Sequence, residues 1–200
     1  MDSAPAHGIG VSVDVIFEVC GGANRRPVVG PATYSKFETL RDGRRFEIRA
    51  LRPEDGADLV AAIKTVSKQS LFRRFFAVRR EFTDKEIAFF VKVDFVNHVA
   101  LVAVIEDDGR PTIIGGGRYV VVKAGVAELA FAVVDAYQGQ GVGAALMRHL
   151  TAIARDAGLQ KLSAEVLAEN TAMLKVFANS GLPMTTSREA DVVHVALRLA

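Results

Sequence analysis

Residues 126–157 read VAELAFAVVDAYQGQGVGAALMRHLTAIARDA, an apolar run, a glycine-rich turn and a helical pattern in direct succession. Gly139, Gly141 and Gly143 carry no Cβ, so the backbone from Gln138 to Ala144 can turn tightly. It can then aim successive N–H groups at an anion on the helix N-terminus, and a diphosphate fits such a cradle. Beyond the loop, Val142, Leu146, Leu150, Ile153 and Ala157 recur at helical steps, with Arg148, Thr151, Arg155 and Asp156 expected on the solvent side. Gly158 supplies the stop.

Downstream, the pattern predicts a strand over Lys161 to Leu167, a helix over Glu169 to Asn179 capped by Asn170 and stopped by Gly181, and a last strand over Val192 to Leu199. Upstream of the loop, His98 to Ile105 and Ile113 to Val122 are valine-rich runs separated by Asp107, Asp108, Gly109 and Pro111, which reads as strand, turn and strand. Thr83 to Glu86 has capping-box spacing ahead of Ile87, Phe90 and Val91. Helices are expected from Pro53 to about Lys68 and from Ser70 to about Val78, after a hairpin of Lys36 to Leu40 and Arg45 to Leu51 turning at Asp42-Gly43. Strict alternation from Val11 to Cys20 predicts one more strand, ended by Gly21 and Gly22, and Asn24 to Ser35 reads as a loose connection. The expected organisation is an extension over 1–35 and an α/β domain over 36–200, with a mixed central sheet flanked by helices on both faces.

With 200 residues, half of them hydrophobic and 24% charged, the chain can bury a substantial core, and a net charge of +2 gives nucleic acid no broad basic field. The local group Arg73, Arg74, Arg79 and Arg80 is interleaved with Phe72, Phe75, Phe76 and Phe82, and phenylalanines at that spacing are expected to face the core of a helix. Cys20, the single cysteine, cannot form an internal disulfide, and the four histidines lack metal-ligand spacing, so no metal is expected. His98, His149 and His194 fall within strands or a helix and read as structural. Asp2 in place of a basic start, and Asp14 and Glu18 inside the most apolar early run, predict neither signal peptide nor membrane span, and hence a cytoplasmic protein. About 45 residues before the main module are too few for a separate regulatory domain, so any control by a small molecule would have to act within the module.

The loop also satisfies G-x-G-x-x-A, the dinucleotide-binding turn, with Glu165 at about the place of a ribose-binding acid. The 57 residues after Gly143 are too few to complete a doubly wound sheet, and the strands upstream are not βαβ units. Glu128 shares a strand face with Val126, Ala130, Ala132 and Val134, and burial there raises a carboxyl pKa. Such a carboxylate suits a general base that strips a proton from an ammonium of pKa near 10.4. The other reading is a salt-bridged strand residue.

Gln138-Gly139-Gln140-Gly141-Val142-Gly143 matches Q/R-x-x-G-x-G/A, and in this the chain resembles the GNAT acetyltransferases. Val126 to Val134, Lys161 to Leu167, and Asn170 with Gly181 are similar to that family's fourth strand, fifth strand and following helix, so the resemblance covers roughly Phe46 to Leu199. SLFRRFF at 70–76, GRYV at 117–120 and ENTAMLKV at 169–176 are most similar to bacterial protein lysine acetyltransferases that act on acyl-CoA synthetases.

The resemblance implies the GNAT (acyl-CoA N-acyltransferase) fold, with acetyl-CoA as co-substrate held at Gln138, Gly139, Gln140, Gly141, Val142, Gly143 and Ala144. It further implies Phe131, Ala132 and Val133 along the pantetheine arm, Asn170 touching it, and Glu128 as the base. Many members carry a tyrosine as general acid seven residues after the asparagine; here that residue is Phe177, which cannot donate a proton. The expected function is direct acetyl transfer to an amine, a protein lysine first. A small-molecule amine, or a non-catalytic CoA-sensing module, is the alternative. The arginines would meet an acidic surface of a protein substrate; residues 1–35 would pair either with the main sheet or with a second subunit in a homodimer, and no nucleic-acid or membrane partner is expected.

Overall fold

The computed structural model describes residues 29–75 and 83–199. The strand expected over Val11 to Cys20, Cys20 itself, and Phe76, Arg79, Arg80 and Phe82 lie outside the described residues. In chain order the elements are α1 (Val29–Ala32), β1 (Ser35–Thr39), β2 (Arg45–Ala50), a 3-10 turn (Pro53–Asp55), α2 (Gly56–Thr65), α3 (Lys68–Phe75), α4 (Asp84–Val91), β3 (His98–Asp107), β4 (Arg110–Lys123) and β5 (Val126–Val133). A second 3-10 turn (Asp135–Tyr137), α5 (Val142–Asp156), β6 (Lys161–Leu167), α6 (Thr171–Ala178), β7 (Met184–Glu189) and β8 (Val192–Arg198) complete it. The eight strands form one sheet in the order β1-β2-β3-β4-β5-β6-β8-β7. Among the described strands only β5 and β6 run parallel, so the sheet is mixed, as expected, and not the parallel sheet that a dinucleotide turn would need.

Alternation on β3 builds two cores. Val99, Leu101, Ala103 and Ile105 meet the α5 side in the larger one, while Ala100, Val102 and Val104 face Leu59 and Ala62 of α2. Helices therefore cover both faces. In α5, Val142, Ala145, Leu146, Leu150, Ile153 and Ala154 are buried, and so is Thr151, which had been placed on the solvent side. Met147 and Ala154 flank Thr151 at four- and three-residue steps and are also buried, so the apolar stripe of this helix is wider than the sequence periodicity implied. In α3, Leu71 takes the buried position and Phe72 is 37% exposed, contrary to the expectation that the phenylalanine faces the core.

β7 has no counterpart among the expected elements. All six of its residues are exposed and among the described strands it pairs with β8 alone, with no apolar alternation to betray it. In place of a loose connection up to Ser35, Val29–Ala32 is helical and the Tyr34 carbonyl accepts a hydrogen bond from Ala50 N–H. The capping box at Thr83 is present in full: the Thr83 hydroxyl accepts from Glu86 N–H and the Glu86 carboxylate accepts from Thr83 N–H.

Candidate functional site

Antiparallel pairing with β4 holds β5 from Val126 to Val133, but the parallel pairing with β6 stops at Glu128↔Ser163. Beyond that point the two strands part, and the main chain from Leu129 to Val133 presents alternate N–H and C=O groups to the gap instead of to a neighbouring strand. A cleft of about 410 Å³ opens there, between the parted edge, α3, the glycine loop and α6.

Of the expected site residues, Glu128, Phe131, Ala132, Val133, Gln138, Gly139, Gly141, Gly143, Ala144 and Asn170 all line this cleft; the side chains of Gln140 and Val142 do not. Val142 is 1% exposed, its side chain committed to the core against β4, and Gln140 fixes the loop through its carbonyl, which accepts from Arg41 N–H at 3.2 Å. The ring of Phe131 also packs in the core, 6.0 Å from that of Phe177, while its main chain follows the parted edge. Gly117 stands opposite Phe131 on β4, and a Cβ there would meet the ring at 2.7 Å, so the strand needs glycine for the ring to fit.

The loop is built as a donor cradle. Gly139 and Gly141 have φ of 74° and 99°, and a Cβ on either would meet nothing within 4 Å, so both look onto open space. The first intrahelical bond of α5 runs from Ala145 N–H to the Gly141 carbonyl. The N–H groups of Gly139, Gly141, Val142, Gly143 and Ala144 have no hydrogen-bond partner among the described residues. Five unsatisfied donors at a helix N-terminus form an anion site, and in this respect the residues present fit the diphosphate of a CoA ester. Gln138 instead braces the loop, its side-chain amide donating to the Val133 carbonyl and to Ser70 Oγ, both at 3.1 Å.

Sequence reasoning missed that brace. The Asp135 carboxylate accepts from Ser67 N–H, Ser67 Oγ and Ser70 Oγ, each at 2.8 Å, and so latches the start of α3 to the loop. Burial pushes the Asp135 carboxyl up, but these bonds outweigh it and leave it below the usual carboxylate range. Nothing in the local sequence signals a bond spanning 68 positions. Asn170 caps α6, its side chain accepting from Met173 N–H at 3.2 Å, and its residue also borders the cleft.

Glu128 is half-buried on the cleft floor beneath α3. Burial, then the nearby Glu165 carboxylate, raise its carboxyl pKa to about 7, and the Arg74 guanidinium partly opposes them. Arg73 is held by Glu169 at 3.2 Å, so Arg73 and Arg74 both face the cleft region and do not form an outward basic patch. Across the sheet, His98 is 3% exposed, stacks on Phe89 at 5.0 Å and accepts from Arg118 Nη1 at 3.1 Å. Burial and the Arg118 charge depress its pKa to about 3, so it stays neutral.

The acetyltransferase (GNAT) family model matches residues 69–182, which runs from α3 through the cleft to the end of α6. The chain belongs to this family. The GNAT domain of Streptomyces lividans PAT is similar at 36% identity and a TM-score of 0.75, over 82% of this chain and 96% of that one. Acetyltransferase PA5475 of Pseudomonas aeruginosa is 34% identical over 68% of this chain and 74% of its own length. Acetyltransferase Pat of Mycolicibacterium smegmatis is 33% identical over 71% of this chain, which spans only 42% of that longer relative. The GNAT fold accounts for the parted strands and for the glycine loop entering α5 as one unit. Among the described residues no helix is long and apolar enough to cross a membrane, and no three His, Cys, Asp or Glu side chains gather into a metal-binding group.

Proposed function

We propose that this acetyltransferase moves the acetyl group of acetyl-CoA directly to an amine, with a protein lysine side chain as acceptor and Glu128 as general base. The observation that carries the reading is a carboxyl raised to about 7 on the floor of a cleft whose other end is an open N–H cradle. Acetyl-CoA, when bound, supplies the activated thioester. Gly139, Gly141, Val142, Gly143 and Ala144 would hold the diphosphate through their N–H groups, and the main chain of Phe131, Ala132 and Val133 would pair with the pantetheine arm like a missing strand. An N–H of that edge aimed at the thioester oxygen would stabilise the negative charge that develops there. Glu128 takes the ammonium proton, leaving a neutral amine able to attack. Phe177 is 1% exposed and carries no donor, so no side chain is assigned as acid to the departing sulfur.

The lysine acceptor is favoured by similarity to the two PAT proteins, and an acyl-CoA synthetase is the first protein to try. Calorimetry with acetyl-CoA tests the cradle, with binding expected. Mass spectrometry of products, from candidate proteins and a panel of small amines offered side by side, tests the acceptor. Acetyl-lysine on protein is the expected product; acetylation of small amines alone would replace the reading, and acetyl-CoA binding with no product would make this a CoA-sensing module.

A further inference from the structure

Net transfer of acetyl to an ammonium releases one proton: the substrate nitrogen gives up two, and only one ends on the CoA sulfur. A base that keeps its proton cannot act again, and with both substrates bound the open end of the cleft would be filled. Cross-strand partners share a sheet face, so the register places Glu128, Ser163, Glu165 and His194 on one face, through the pairs Glu128↔Ser163 and Glu165↔His194. Glu165 and Glu128 both line the cleft, and each is close enough for Glu165 to raise the Glu128 carboxyl. Glu165 Oε1 lies 3.4 Å from His194 Nδ1, and His194 Nε2 lies 3.7 Å from Glu189 Oε2 on the edge strand β7. Side-chain exposure climbs along this line, from 26% at Glu165 to 34% at His194 and 70% at Glu189. Among the described residues, Arg41, together with Arg73 and Arg74 of α3 and Lys175 of α6, lines the same cleft as the two carboxylates, and Arg74 acts on Glu128 directly.

Resting on the proposed role of Glu128, we infer that Glu165, His194 and Glu189 form a proton exit from the base to solvent. The proton on Glu128 passes through bridging water in the cleft to the Glu165 carboxylate, two residues beyond the Glu128↔Ser163 pair, and Glu128 is again ionised. Glu165 passes it to His194 Nδ1, the ring releases the proton on Nε2, Glu189 delivers it to water at the sheet edge, and a flip of the ring, whose side chain is 34% exposed, restores an N–H on the outer side for the next turnover. Imidazole suits the middle position because its two nitrogens accept and donate on opposite sides. Gaps of 3.4 and 3.7 Å close by a small rotation or one bridging water. His194, which read as structural in the sequence, thereby gains a function.

The test is steady-state turnover of acetyl-CoA with a lysine-containing peptide, in dilute buffer, by wild type, His194→Ala, Glu165→Gln, Glu189→Gln and, in parallel, Glu128→Gln. The expected result is a kcat about tenfold lower for His194→Ala and Glu165→Gln, and a smaller loss for the exposed Glu189→Gln, with KM for acetyl-CoA unchanged. Added imidazole should restore kcat of His194→Ala saturably and leave wild type unmoved, which no purely structural role would produce. A kcat equal to wild type, or a loss that imidazole does not mend, overturns the exit while a collapsed Glu128→Gln leaves the base standing. Should His194→Ala not fold, an unchanged Glu189→Gln overturns it instead. Turnover unaffected in Glu128→Gln, or no turnover of peptide by wild type, removes the base or the acceptor and the exit with it.

Discussion

A carboxyl can act as the proposed base only when ionised, and burial raises that of Glu128 to about 7. Under the proposed role, kcat/KM should therefore rise as pH passes upward through about 7, and Glu128→Gln should lower it by about 10²–10⁴-fold. Removing the like charge by Glu165→Gln should move this limb to lower pH, and removing the opposing charge by Arg74→Gln should move it to higher pH, both read from pH–rate profiles. The same shift acts on stability. A carboxyl whose pKa is higher folded than unfolded binds more protons in the native state between about 4.5 and 7, so native stability falls as pH rises through that window. Glu128→Gln escapes the loss: it should melt higher than wild type by about 3–6 °C at pH 8, with the difference gone below pH 4.5, as scanning calorimetry would show.

Among the elements, β4 needs glycine for close approach and the loop needs it for left-handed backbone. Gly117→Ala would place a methyl 2.7 Å from the Phe131 ring and should cost about 1–3 kcal/mol in denaturant unfolding while twisting the edge that lines the cleft. Gly141→Ala, at a φ of 99°, should cost about 1–2 kcal/mol from the backbone alone and also weaken acetyl-CoA binding in calorimetry. The Asp135 latch makes a different prediction. Asp135→Ala strips three donors of their acceptor at once, and α3 should exchange its amide hydrogens faster while the β5 core keeps its protection.

At the scale of the whole molecule, the sheet is pinned to α2 by a buried pair. Arg49 donates to both oxygens of Asp55 at 2.7 Å, and Asp55 also accepts from Arg52 N–H at 2.7 Å. Burial pushes the Asp55 carboxyl up, but these bonds prevail and hold it below the usual range. Its contribution is thus present above the unfolded pKa of about 3.8 and lost as pH falls through the lower folded value. Asp55→Ala, which leaves a guanidinium buried and unpaired, should destabilise by about 3–5 kcal/mol at neutral pH in urea unfolding.

Local patterns carried far in this chain. The capped helix after Thr83, the strand–loop–helix around Gly141 and the face on which Glu128 sits follow from spacing and side-chain type, because capping, left-handed turns and two-residue alternation are set within a few residues. Where burial depends on what arrives from elsewhere, local patterns failed. β7 shows no alternation because among the described strands only β8 pairs with it, Phe72 is left outside while its neighbour Leu71 is buried, and Thr151 is enclosed by a stripe wider than its own side chain suggests. The sequence by itself determined most of the elements, the donor-rich loop and the strand face on which Glu128 sits. Tertiary structure alone decided that β5 and β6 part just beyond Glu128, that Asp135 locks α3 to the loop, and that Glu165 and Arg74 set the charge around the carboxylate. Each of these joins residues distant along the chain, and such pairings are chosen by the summed packing of the whole sheet and its helices, which no local spacing encodes.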